Sequence, residues 1–497
     1  MQMTNIIDES TGKVVGAVPR YTGEEIAQMV DVAFAAQPDW ELAPLFERGQ
    51  ILYKFCDLVS ENIDEIANYM ACEMGKPIMQ ARAEVDYAAE IGRNNIEVGK
   101  HLYGRVLCDS SDGHENDVVY VRHEALGVVA CVIPFNYPVE LTIQKIVPAL
   151  LMGNACIVKA SSTAPCSVKK LIDLAHEAGV PKDVLHYVTS SREDCTKDLL
   201  TNTKVACIAM TGSTAAGTEM MMDAAPTIKK VILELGGNDP LIIREDVADD
   251  PEQIMKAIEC LGWGRILENN GQVCASPKRT LVHKKAHDTF VKALLAFVKS
   301  LKRGHATDPT AQLTRLVSSS AAERVEQMVQ HTIDQGATLL YGGHRDGAAM
   351  DVTILDNVTK DMDIASDMEV FGPVVPIITF ETDEEAVEIA NQSKYGLSSC
   401  VITQDMHAAF FYAERIESSA VWINGSSALR HNDQPFGGCK STGVGNEGAG
   451  YSCAEFTRHK TVGFHNVTPR KHLLKREDGT GAVLAEVRKM VEAQLDQ

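Results

Sequence analysis

The chain has 497 residues, 45% apolar and 23% charged, and its 47 basic and 68 acidic residues give a formal net charge of -21. That length exceeds what one hydrophobic core serves, so two or more domains are expected, and the acidic balance would repel a nucleic-acid backbone. No apolar run approaches the roughly 20 residues that span a bilayer, and the polar residues 1–8 do not read as a secretory signal, so a cytoplasmic protein without a membrane partner is expected.

Segments of strand character alternate with helical patterns, which argues for an α/β architecture with parallel sheets. Residues 22–40 read as a helix, with Thr22 as N-cap ahead of Glu24 and Glu25. Residues 118–123 alternate and suit an exposed hairpin arm whose edge needs a partner. The short apolar runs 126–134 and 155–158 read as strands. Residues 205–210 repeat that pattern and lead at once into Gly212, Ser213, Thr214, Ala215, Ala216, Gly217 and an Ala/Met-rich helix. Such a strand, turn and helix present free N–H groups to a pyrophosphate, although the turn lacks the full Gly-x-Gly-x-x-Gly pattern. Toward the end, Val483, Leu484, Val487, Met490, Val491 and Leu495 recur at helical spacing, which predicts a surface helix packed on its own or a neighbouring subunit.

Thirteen cysteines, an odd number with no Cys-x-x-Cys, fit buried small hydrophobes in a reducing compartment better than a disulfide framework. The fifteen histidines show no ligand pattern such as His-Glu-x-x-His, and no metal site is expected.

Three distant segments carry the parts needed to oxidise an aldehyde. They are Gly271, Gln272, Val273, Cys274; then Glu234, Leu235, Gly236, Gly237; then Pro134, Phe135, Asn136, Tyr137, Pro138. An aldehyde gives up hydride only from a tetrahedral carbon, and a thiol makes that carbon well, so Cys274 is the candidate nucleophile. Asn136 supplies a side-chain amide for the oxyanion, and Glu234 is the candidate base for the water that hydrolyses the thioester.

With Gly153, Asn154 and Lys159, with Glu369, Val370, Phe371, Gly372, Pro373, and with Pro435, Phe436, Gly437, Gly438, these segments make the chain resemble the aldehyde dehydrogenase superfamily from about residue 8 to about residue 462. The resemblance implies a Rossmann-like cofactor domain at residues 1–117 and 130–239, an α/β catalytic domain at 240–436, and a small β oligomerisation element at 118–129 and 457–468, with a C-terminal tail helix within 469–497. A homodimer or homotetramer follows. It implies that Lys145 supports the Asn136 region. It implies further that the cofactor lies against Pro134, Phe135, Lys159, Ser161, Ser162, Gly212, Ser213, Gly217, Leu235, Glu369 and Phe371. Two departures stand out. The chain starts almost at the family's first turn, here Asp8 to Gly12, so the leading strands are expected to be missing. Glu234 and Cys274 lie 40 residues apart, several more than in most members, and the surplus falls at residues 249–253 and 264–269, both read as loops.

Three residues after Lys159, where members preferring NAD usually carry a glutamate, this chain has Ser162. A hydroxyl can donate to a 2′-phosphate and Lys159 offers a countercharge, so NADP is expected to be accepted and preferred over NAD. The sequences around Asn136 and Asn238 look like the branch that includes lactaldehyde and non-phosphorylating glyceraldehyde-3-phosphate dehydrogenases. That implies a small polar or anionic aldehyde, lactaldehyde-like or semialdehyde-like, held by Tyr137, Phe436 and Arg430, whose guanidinium can pair with an acidic group. Val273 stands where phosphate-using members often carry arginine. A CoA-acylating enzyme and a non-catalytic relative are the alternatives, and Glu234 together with Asn136 and Cys274 argues against both.

Overall fold

In the computed structural model, which describes residues 2–107, 114, 116–465, 467 and 480–495, the apolar runs of the sequence become the strands of two largely parallel sheets. The chain divides into a larger unit, residues 1–102 with 124–458, and a smaller one, residues 103–123 with 459–497.

In the larger unit, one six-stranded sheet has the order Gly443–Val444, Lys230–Glu234, Val205–Thr211, Val128–Val132, Ala155–Lys159, Leu185–Val188. All neighbours are parallel except Gly443–Val444, which runs antiparallel to Lys230–Glu234. Val128–Val132 is buried at every position. A strand covered on both faces cannot alternate, which is why it reads as a continuous apolar run. From it the chain winds outward through Ala155–Lys159 and Leu185–Val188, then returns to its other side with Val205–Thr211. The reversal opens a crevice at the carboxyl ends of Val128–Val132 and Val205–Thr211, where an open α/β sheet binds its ligand. Asn136 and Gly212 both emerge there. Helices Gly23–Leu42, Leu45–Glu61, Ile78–Gly99, Pro138–Leu151 and Pro165–Ala178 close the core around this sheet. Thr22 caps the first of them, accepting from the Glu25 amide while Glu25 accepts from the Thr22 amide at 2.9 Å.

The second sheet of this unit has seven strands, in the order Thr338–Tyr341, Thr353–Asp356, Val374–Phe380, Pro277–His283, Asp239–Ile243, Ser398–Ile402, Ala420–Ile423. Only Thr338–Tyr341 is antiparallel to its neighbour. Its direction of winding reverses between Pro277–His283 and Asp239–Ile243, with Asp239 opposite Pro277. Those two strands begin just after Cys274 and just after the Glu234 segment, so the topology alone draws thiol and carboxylate to one place.

A three-stranded sheet, most of it in the smaller unit, runs Thr457–Phe464, Val118–Ala125, Arg105–Leu107. Helix Thr480–Leu495 exposes Val487, Met490, Val491 and Leu495. The remainder of the tail expected at 469–497 lies outside the described residues.

Three sequence expectations are corrected. A leading strand is present: Gln2–Ile7 pairs antiparallel with Val14–Arg20 across the Asp8 turn. Its sequence, QMTNII, mixes polar and apolar residues on an exposed two-stranded ribbon, so it carries little strand signal. Residues 264–269 are not a loop, because Gly262–Leu267 is a π-helical extension of Pro251–Leu261 followed by a 3₁₀ turn, Glu268–Gly271. A wide turn of this kind absorbs inserted residues without breaking the helix. The segment 118–129 also divides, since the hairpin begins earlier, at Arg105, while Val128 and Val129 pair within the six-stranded sheet.

Candidate active site

The loop bearing Cys274 is fixed before it reaches the thiol. Asn269 (φ 44°), Asn270 (φ 55°) and Gly271 (φ 77°) are left-handed in succession. Asparagine tolerates that region, but residue 271 must be glycine: a Cβ there would stand 2.6 Å from the Arg265 carbonyl oxygen and from the Gly372 backbone. Buried Arg265 donates to the carbonyls of Gly271 (3.1 Å), Val370 (2.9 Å) and Val374 (2.8 Å) and to the Ser276 hydroxyl (3.3 Å). Gln272 donates to the Asn269 carbonyl (3.0 Å) and accepts from the Val317 amide (2.9 Å). Cys274 itself is half-buried.

Glu234 ends its strand, and Gly236 and Gly237 carry the chain past the nucleophile loop. A Cβ on Gly237 would lie 2.8 Å from the Cys274 carbonyl oxygen and push the two loops apart, and one on Gly236 would lie 2.5 Å from Glu369 Oε2 and displace that carboxylate. Both Glu234 oxygens are buried without a hydrogen-bond partner among the described residues. Burial, with Glu447 adding to it, pushes the Glu234 carboxyl up to about 8. Burial and then the neighbouring Glu234 hold the Cys274 thiol well above its ordinary pKa, with Lys278 pulling the other way. Thiol and carboxyl thus sense each other directly, although neither Glu234 oxygen completes a hydrogen bond of proper geometry.

Asn136 is buried and donates from Nδ2 to the Gln272 carbonyl at 3.2 Å, on the nucleophile loop. An amide has two such hydrogens, so one remains for an oxyanion. The Asn136 backbone carbonyl accepts from Lys76 Nζ (2.9 Å) and Asn269 Nδ2 (3.1 Å). The amine that braces Asn136 is therefore Lys76, not Lys145. Lys145 is buried and donates to Thr211 Oγ1 (2.7 Å) and Glu447 Oε1 (2.5 Å), tying the end of Val205–Thr211 to the carboxylate that acts on Glu234. Sequence reasoning also missed Lys278, whose Nζ donates to the Cys274 carbonyl and lies 3.5 Å from Glu369 Oε1. A lysine inside a strand that is otherwise wholly buried was the available signal.

On the crevice side, the Phe135 ring meets Phe371 edge to face, centroids 6.1 Å apart, and Pro134 precedes it at the mouth. Glu369 Oε1 accepts from the Gly237 amide at 3.0 Å. Ser213 caps helix Thr214–Ala224, accepting from the Ala216 amide at 3.3 Å, while the Thr214 hydroxyl is buried with no partner among the described residues. A Cβ on Gly217 would come 2.5 Å from Leu235 Cδ2, so this glycine lets the helix seat on Leu235. The Gly212 amide donates to the Glu234 carbonyl at 3.0 Å, which joins this turn to the catalytic strand. Lys159 ends its strand, Ser161 Oγ lies 3.0 Å from Thr163 Oγ1, and Ser162 is exposed. Beside the same helix lies a groove of about 650 Å³ lined by Arg192, Glu193, Thr196, Lys197, Glu219, Met222 and Asp223. Arg192 pairs there with Glu219. No motif marks these residues in the sequence.

The expected substrate residues also gather. Tyr137 donates its hydroxyl to Glu268 Oε1 at 2.5 Å, with Lys76 Nζ 3.6 Å from its ring centre. Arg430 stacks on Phe436 at 4.1 Å and donates from Nη1 to Glu140 Oε1 at 3.2 Å, so its guanidinium already has an internal carboxylate. Among the described residues no group of three or more His, Cys, Asp or Glu could hold a metal ion, and no helix is long and apolar enough to cross a membrane.

The profile of the aldehyde dehydrogenase family matches residues 2–462. The chain is 34% identical over 464 residues to a glutarate-semialdehyde dehydrogenase of Pseudomonas putida, covering 92% of this chain and 94% of that protein. It is 32% identical over 467 residues to a lactaldehyde dehydrogenase of Methanococcus vannielii, covering 93% and 97%. The crystal structure of a glyceraldehyde-3-phosphate dehydrogenase from Methanocaldococcus jannaschii complexed with NADP is similar at TM-score 0.87 and 33% identity, over 93% of this chain and 98% of that one.

Proposed function

The chain belongs to the aldehyde dehydrogenase family and is an NAD(P)-dependent aldehyde dehydrogenase, and from that premise we propose that Cys274, Glu234 and Asn136 convert a short polar or anionic aldehyde to its carboxylic acid. The Cys274 sulfur adds to the carbonyl carbon while Glu234 takes the thiol proton, which it gives up to solvent before the hydrolytic step. The oxyanion so formed accepts from the second hydrogen of Asn136 Nδ2 and from the Cys274 backbone amide. The bound dinucleotide supplies the hydride acceptor. The thioester left on Cys274 is attacked by a water that Glu234 deprotonates, which releases the acid and restores the thiol. The observation that carries this reading is the pair of unpartnered, buried oxygens of Glu234 beside the thiol. A carboxylate kept dry and unbonded there has no structural task. A panel of short aldehydes with and without an acidic group, followed by NADPH or NADH formation and by assay of the acid, tests it; failure of every member to yield acid would refute it.

The crevice residues fit a dinucleotide. Its phosphates would meet the amino end of helix Thr214–Ala224, Ser213 and the Thr214 hydroxyl, across the close approach that Gly212 and Gly217 permit. Lys159, Ser161 and Ser162 would face the adenosine ribose, and Glu369 and Phe371 the nicotinamide end. With no carboxylate at residue 162, NADP is the preferred cofactor. Ser162→Glu is expected to lower kcat/KM for NADP about tenfold or more, equivalent to about 1.4 kcal/mol, while sparing NAD. Steady-state kinetics with both cofactors checks this, and an unchanged ratio would remove Ser162 from cofactor selection. The enzyme is proposed to act in the cytoplasm as a homodimer or homotetramer, with the hairpin Arg105–Leu107 and Val118–Ala125 and the strand Thr457–Phe464 as the assembling element.

A further inference from the structure

Among the described residues, Arg430 is the cation that stacks on Phe436 at the proposed substrate side, and its charge is already answered. Its side chain and that of Glu140 are 10% and 11% exposed, and Nη1 meets Glu140 Oε1 at 3.2 Å. Nη2 lies 4.0 Å from Glu447 Oε2, too far to bond, and is buried without a hydrogen-bond partner among the described residues. Glu447 is in turn held by Lys145 at 2.5 Å. With Lys76 paired to Glu84, three cations and three carboxylates therefore cancel, and the nearby Glu268 contributes a further carboxylate whose partner is the neutral Tyr137 hydroxyl. An entering carboxylate would find no surplus positive charge, while a hydroxyl could still accept from the unbonded Nη2. The segment is firmly placed: the Tyr87 hydroxyl donates to the Arg430 carbonyl at 3.2 Å and the ring of Phe436 lies under the guanidinium.

We infer that Glu140 is the residue that selects between uncharged and anionic aldehydes: as a carboxylate it occupies Arg430 and favours a short hydroxyaldehyde, and when its charge is removed Arg430 becomes a seat for an acidic substrate. The inference rests on the proposed function of the same site and deepens it to substrate class. It also gives selectivity a pH dependence. Burial pushes Glu140 up to about 7, against the pull of Arg430 and with Glu84 adding to the rise. The other charged or titratable groups facing it are Lys76, Tyr87, Tyr137 and Glu447. Lowering the pH protonates Glu140 and leaves Arg430 uncompensated, so the preference moves toward the acid-bearing aldehyde. Steps that both substrates share, including those of Glu234, cancel in the ratio of their kcat/KM values.

The test uses lactaldehyde and succinate semialdehyde as probes, with wild-type enzyme, Glu140→Gln and the double variant Glu140→Gln, Arg430→Gln. The succinate semialdehyde to lactaldehyde ratio of kcat/KM is expected to rise about tenfold or more in Glu140→Gln, the size of one charge-assisted hydrogen bond, and to fall back in the double variant. In the wild type the same ratio is expected to fall as pH rises through about 7, a measurement that needs no substitution to fold. A ratio that moves with neither the substitution nor pH, while both aldehydes are oxidised, overturns the role of Glu140. Failure of the wild type to oxidise either aldehyde overturns the substrate class instead, and this assignment with it.

Discussion

Cys274→Ala is expected to abolish aldehyde oxidation, with kcat reduced about 10⁴-fold or more, near 5 kcal/mol of transition-state stabilisation, while the dinucleotide still binds. The two effects separate because the proposed cofactor turn sits on the six-stranded sheet, whereas Cys274 leads into the seven-stranded one. Asn136 and the loop amide would remain to polarise a carbonyl, but no other thiol lies on the loop between Asn269 and Ser276 to attack it. The loop itself should survive, since Arg265, Gln272 and the left-handed turn at Asn269 to Gly271 hold it without using the sulfur. Cofactor fluorescence titration and NADPH formation measured together check the prediction. Turnover that persists in the alanine variant would mean that the sulfur takes no part. The raised thiol pKa makes a second expectation for the wild type: with its thiolate scarce at neutral pH, alkylation of Cys274 by iodoacetamide should accelerate as pH rises.

Much of this site could be read from the chain because its key side chains sit where backbone demands and chemistry coincide. Gly271 is required by a positive φ, Gly236 and Gly237 by the passage of one loop over another, and each lies next to the residue that acts. The strands 128–132, 155–159 and 205–211 were legible for a related reason, since burial on both faces leaves an unbroken apolar run. What escaped depends on contacts between residues hundreds of positions apart. Nothing local tells that Lys145 will meet Glu447 or that Arg430 will meet Glu140, or, across 60 residues, that Lys76 will take the Asn136 carbonyl. The groove at Arg192 and Lys197 is built from an ordinary polar stretch. The π-helical turn Gly262–Leu267 was missed because one extra residue per turn shifts the helical phase, and its two glycines then look like a loop.

Glu234→Gln is expected to lower steady-state turnover about 10²- to 10⁴-fold, the range that a positioned base contributes. The amide fills the same space and leaves the strand end and its contacts with Gly212 intact, so the loss would be chemical, not structural. Among the described residues the other carboxyls of the site are engaged: Glu447 is bound to Lys145, Glu369 accepts from the Gly237 amide, Glu140 is held by Arg430, and Glu268 accepts from the Tyr137 hydroxyl. Addition of the thiol has an alternative, because Lys278 lies close enough to favour the thiolate. Rapid mixing should therefore show a first equivalent of NADPH followed by a much slower steady rate. The pH profile gives the sign. Glu234 is raised to about 8, so below that pH the carboxyl carries its proton and cannot serve as a base, and wild-type turnover should climb as pH rises through about 8 and then level. The glutamine variant cannot titrate and should lose that step. A variant that keeps both the wild-type rate and the rise near pH 8 would assign the base to another group and leave the bare oxygens of Glu234 without a chemical purpose.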